Sequence, residues 1–91
     1  METYAYALQN DAWYKVLTAG GSFQISAVTG GLHIHSSASD VAPIAGAAYH
    51  YVEAAFLNGI STFSHYPSTT KVWLRAADDG DQTVTISRVT Q

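Results

Sequence analysis

Two of the four histidines, His33 and His35, are separated by a single residue. On a strand that spacing puts both imidazoles on one face, where they could share a metal ion if His50 or His65 supplied a further ligand. No cysteine exists and no acid adjoins the pair, so it reads better as surface or interface histidines, and no metal or cofactor is expected. In a subunit contact, their protonation near about pH 6 would bring like charges together. Asp78-Asp79-Gly80-Asp81 has the oxygen density of a calcium loop but neither the spacing nor the closing Glu of an EF-hand, so it reads as a turn. Catalysis finds no foothold. No serine sits in a G-x-S-x-G elbow, and Glu53 is a lone carboxylate within an expected element. Gly20-Gly21 and Gly30-Gly31 precede strands where a phosphate loop would precede a helix.

Aromatic rings are the richer signal. Trp13, Tyr14, Tyr49, Tyr51, Tyr66 and Trp73 are too many for the thin core of a 91-residue chain, so some must meet partners. In Lys71-Val72-Trp73-Leu74-Arg75-Ala76, apolar residues alternate with Lys71, Trp73 and Arg75, predicting an outward indole between two cations. Subunit contacts are enriched in Tyr, Trp and Arg, so Lys71, Trp73 and Arg75, with Tyr4, Tyr6 and Tyr66, are the expected interface. Sugars also stack on aromatic rings, which makes a glycan the competing ligand, with Trp73 and Tyr66 beneath it.

Period-two alternation must position these side chains along most of the chain. Thr3 to Gln9 reads as a first strand, or residues 1–11 as an N-terminal arm pairing with a neighbouring subunit. Trp13 to Leu17 forms a strand stopped by Ala19-Gly20-Gly21. The next has Phe23, Ile25 and Ala27 inward, and the two are expected to form a hairpin. Leu32, Ile34 and Ser36 then alternate with the two histidines. Asp40 to Gly46, with Pro43, reads as a connection crossing between sheets or running along an edge. Tyr49, Val52 and Phe56 in Ala47 to Leu57 fit a helical face, but His50, Val52, Ala54 and Phe56 fit a strand. Strand is favoured because the other elements are β. Ile60 to Tyr66 is a strand ended by Pro67, and Lys71 to Ala76 is expected to pair with Thr83 to Ser87 as an antiparallel hairpin. The expectation is all-β: residues 1–91 as a single small antiparallel β-sandwich or barrel of about six to eight short strands.

Composition points the same way. Only 12% of residues are charged, so much of the surface is neutral and suits a chain packed against neighbours as a homo-oligomer. The net charge of −3 argues against nucleic acid. No run is long enough for a membrane span, and Met1 to Asn10 lacks the basic start and apolar core of an export signal.

The chain resembles the small β-sandwich virion proteins of tailed bacteriophages. The likeness runs from Trp13 to Val89. Trp13-Tyr14-Lys15-Val16-Leu17 leading into Gly20-Gly21-Ser22-Phe23-Gln24-Ile25, then Leu32-His33-Ile34-His35, Pro43 and Lys71 to Ala76 carry it. Ala45 to Tyr66 is longer than the corresponding part of that group. The resemblance implies a non-enzymatic capsid decoration or head or tail accessory protein, localised in the virion, whose partners are other virion proteins. A glycan-binding module of a fibre or receptor-binding assembly is the alternative.

Overall fold

The computed structural model describes residues 2–26, 30–53, 60–77 and 82–89. Eight strands occupy most of them: β1 (Glu2–Leu8), β2 (Tyr14–Leu17), β3 (Gly21–Ser26), β4 (Leu32–Ser37), β5 (His50–Val52), β6 (Ser61–Tyr66), β7 (Lys71–Ala76) and β8 (Gln82–Val89). No helix occurs among the described residues. The alternation that predicts the strands also sets their faces. Phe23 and Ile25 of β3 and Val84 and Ile86 of β8 point inward, as do Leu32 and Ile34 of β4 and Val72, Leu74 and Ala76 of β7. With Leu8, Val16 and Leu17 they form one core between two layers. Residues 3–8 pair with β8 over their whole length, so this segment is the first strand of the domain.

The pairing differs from the expected hairpins. One sheet runs β1-β8-β3-β6 and the other β2-β7-β4-β5, with every pair antiparallel. Lys71 to Ala76 therefore does not pair with Thr83 to Ser87; β7 lies between β2 and β4, and β8 between β1 and β3. The strands either side of Gly20 likewise fall in opposite sheets. Successive strands change layer at every connection except β4 to β5, which is the jelly-roll form of a β-sandwich.

Gly20 and Gly21 show how three residues can carry the chain across. Both adopt positive φ, 71° and 102°, where a side chain is strained. A Cβ on Gly20 would also lie 2.2 Å from the Pro67 carbonyl oxygen, while the Gly20 amide donates to Thr70 at 2.9 Å. The β2–β3 and β6–β7 connections are thus locked together. Gln82 does the same at the start of β8: its Oε1 accepts from the Gly30 amide at 2.7 Å and its Nε2 donates to the Gly31 carbonyl at 3.3 Å.

β5 covers only three residues, so the strand reading of Ala47 to Leu57 holds for His50–Val52. Residues 54–59, the acidic run Asp78-Asp79-Gly80-Asp81 expected to turn, Ala27 and the side chain of His65 lie outside what the structure describes.

Candidate functional site

The outer face of the β2-β7-β4-β5 sheet collects most of the cations and rings that the sequence singles out. Cross-strand register puts Lys15 opposite Trp73 and Trp73 opposite His35 in one row, and Arg75 opposite His33 and His33 opposite Tyr51 in the next. Trp73 and Arg75 point away from the core as alternation predicts. They are nevertheless buried, at 5% and 7% exposure, so an open docking face around Trp73 and Arg75 is not what the structure contains. Residues 38–49, which connect β4 to β5, lie across this face as a strap, and Trp13 flanks it.

Named contacts hold the strap down. Asp40 pairs with the Lys15 ammonium at 3.0 Å, and that ammonium holds its carboxyl below the ordinary range. Arg75 Nη1 donates to the Ala45 carbonyl at 3.2 Å. His35 Nδ1 donates to the Ala48 carbonyl at 2.6 Å, and the Tyr49 ring stacks on His33 with centroids 3.7 Å apart. The strap has its own turn, closed by the Ala47 amide on the Ile44 carbonyl at 3.0 Å.

Arg75 is the hub. Its guanidinium lies 4.1 Å from the Trp13 ring centroid and 5.7 Å from that of Tyr49, and its Nε and Nη2 reach His33 Nδ1 at 3.2 and 3.0 Å. Among the described residues no carboxylate pairs with it. Ring faces and neutral acceptors replace the lost water, an arrangement suited to guanidinium because it is planar and weakly hydrated. Its donors point at protein atoms, so this cation clamps the strap and is poorly placed to receive a substrate.

The histidine pair is engaged in the same way. His33 Nδ1 must lack a proton to accept from Arg75, whereas His35 Nδ1 must carry one to donate to a carbonyl. The like charge that a protonated His33 would meet is Arg75 of its own chain. Among the described residues no group of three His, Asp or Glu side chains could hold a metal ion.

The other expected contact residues separate. Lys71 starts β7 and is half-buried. Tyr66 packs against the core with its ring 6.4 Å from Phe23, and burial pushes its phenol up. Tyr4 and Tyr6 of β1 meet Tyr14 of β2 where the sheets come together. Tyr6 stacks on Tyr14 at 3.8 Å, and the Tyr4 and Tyr14 hydroxyls are 2.6 Å apart. Burial first, and the Tyr14 hydrogen bond second, push the Tyr4 phenol far above its usual range. Tyr4 and Tyr66 are therefore mainly packing residues. Tyr6, 37% exposed, keeps an open flank.

What faces solvent instead is the far side of the strap. Val41 and Ile44 are each 76% exposed, with Tyr49 and Tyr51 also exposed. Beside Tyr49 is a cleft of about 260 Å³, lined also by Ile34, His35, Ser36, Ala48 and His50. The available sequence signal was two large aliphatic residues around Pro43 in a segment without strand periodicity. Such residues are out of place in a connection that only spans a gap. No protein-family model, curated protein or solved structure matches the chain.

Proposed function

We propose that the chain is a non-enzymatic virion structural protein of a tailed bacteriophage, a capsid decoration or head–tail accessory subunit that docks on another virion protein through the outer side of its strap. One observation carries the docking surface: Val41 and Ile44 are about three-quarters exposed on a segment pinned from beneath by Asp40, Ala45 and Ala48. An apolar crest on a fixed support gives up little conformational freedom when a partner covers it. The virion setting is supported by the resemblance carried by Trp13 to Val89, the low charge, and a jelly-roll fold, an architecture used by viral capsid and lectin domains. Fold analogy alone carries no function, so the particle is the place to test it.

The test is incorporation. Val41→Asp with Ile44→Asp should leave thermal unfolding nearly unchanged, because neither side chain is packed, and should remove the protein from purified particles. Particles that take up the double variant at the normal level would refute docking through the strap. The cleft beside Tyr49 favours the glycan alternative, in which a sugar ring rests against the exposed tyrosines. A glycan array separates the two: a decoration subunit shows no sugar preference, and selective retention that Tyr49→Ala abolishes with circular dichroism unchanged would move the function to binding.

A further inference from the structure

Each sheet has two edge strands: β1 and β6 in one, β2 and β5 in the other. An exposed edge offers unpaired backbone donors and acceptors, and proteins usually blunt it by shortness, irregularity, charge or proline. Three of the four are blunted. β5 has only three residues. β2 has four, breaks register between Lys15 and Leu17, and carries a lysine. β6 breaks register where it passes Gly21 and Phe23 and ends at Pro67.

β1 has none of these devices beyond its first residue. It is seven residues long, keeps an unbroken register with β8 from Glu2 to Leu8, and is uncharged after Glu2. The Glu2 carboxylate is already held by Arg88 at 2.9 Å. Among the described residues no strand pairs with its far side.

We infer that β1 is a self-pairing edge at which a second copy of this chain adds its own β1 antiparallel across a two-fold axis, joining two four-stranded sheets into one of eight. Facing residues in an antiparallel pair point to the same side, and a two-fold axis normal to the sheet keeps core faces aligned only if residues of like parity meet. Centring the axis on Ala5 satisfies this and uses all seven positions of β1. Ala5 then faces Ala5 of the second copy, Thr3 faces Ala7, Tyr4 faces Tyr6 and Glu2 faces Leu8. No like charges are opposed. The open flank of Tyr6 gains a ring from the other copy, the kind of cross-strand aromatic pair that stabilises sheets.

Size sets the strength. A strip about 24 Å long and 10 Å deep hides roughly 500 Å² over both copies, below the ~1,200 Å² of a stable interface. The free chain should therefore dimerise weakly, and crowding on a surface would drive the pairing by raising local concentration. Self-pairing deepens the assembly reading and rests on it only in expecting copies to meet. Failure of the dimer leaves strap docking intact, and failure of strap docking leaves the dimer intact.

Analytical ultracentrifugation of the whole chain, up to about 1 mM because the interface is small, should show a reversible monomer–dimer equilibrium. Ala5→Lys places two ammonium groups face to face on the exposed side of the sheet and should raise the dissociation constant at least tenfold, with circular dichroism unchanged. The register can be read separately because the chain has no cysteine. Ala5→Cys sets two Cα atoms about 5 Å apart across the axis, within disulfide range, while Ala7→Cys leaves them about 14 Å apart. Rapid oxidation to a covalent dimer at position 5 but not 7 is the expected result. A monomer at every concentration, a dimer indifferent to Ala5→Lys, or equal cross-linking at both positions would overturn self-pairing through β1.

Discussion

The two sheets share a core but differ on their outer faces. On β1-β8-β3-β6 that face is a field of small side chains, with Thr3, Ala5 and Ala7 beside Thr83, Thr85 and Ser87, then Gln24 and Thr62. Its internal bonds are slight: Thr3 to Ser87 at 2.7 Å and Gln24 to Thr62 at 3.4 Å. On β2-β7-β4-β5 the face carries Trp73, Arg75, His33 and His35 and is roofed by residues 38–49. A domain this small buries little apolar surface between two layers. The strap adds a third layer over one sheet, so Trp73 gains a buried site without lying in the central core. The other sheet has no such cover among the described residues, and Ile60 stands exposed beside Thr3, Gln24 and Thr85.

Substitutions should expose that asymmetry, starting with the largest effect. Trp73→Ala should lower unfolding free energy by about 3–5 kcal/mol, as for a core aromatic. A loss in urea denaturation below ~1 kcal/mol would mean the strap does not pack. Arg75→Lys keeps the charge but not the fork that spans His33 and Ala45, and should cost about 1–3 kcal/mol by the same measurement. Tyr4→Phe removes one hydroxyl from the pair with Tyr14 and should cost about 1 kcal/mol at neutral pH.

Tyr4 and Tyr66 also predict an alkaline limit. Their phenols are raised in the folded state, so above about pH 10 the unfolded chain ionises first and binds fewer protons. Their contribution is complete below that pH and is lost as pH rises toward the folded values. Denaturation midpoints from pH 8 to 11.5 should fall, with a shallower slope in Tyr4→Phe. Thr85→Ala, on the bare sheet, should stay within about 0.5 kcal/mol of the parent and serves as the contrast to Trp73. The exposed Lys15–Asp40 contact gives the smallest effect. Asp40 should titrate below ordinary aspartates by carboxyl NMR and return to their range in Lys15→Ala, so this latch is complete at neutral pH and lost as pH falls through the depressed value.

Strand positions were legible because alternation is local: Phe23 and Ile25, or Val84 and Ile86, declare an inner face without reference to the rest of the chain. Partners were not. A period-two pattern says which way a side chain points and nothing about which strand lies beside it, so Gly20-Gly21 read as a hairpin where the chain in fact changes layer. The same limit governed the site. Trp73 and Arg75 could be placed on the outer face, but their burial comes with long-range contacts, Lys15 over the Trp73 ring and Trp13, Ala45 and Tyr49 around Arg75. Val41 and Ile44 were legible only as aliphatic residues in an unlikely place.

Both tryptophans of the chain, Trp13 and Trp73, belong to the roofed side of the molecule. Their indole N–H groups are buried without a hydrogen-bond acceptor among the described residues. Indole emission therefore reads one layer of this protein and is blind to the opposite sheet. A red shift would signal lifting of residues 38–49 while amide circular dichroism still registers an intact sandwich, giving an optical gauge of the strap with no label attached.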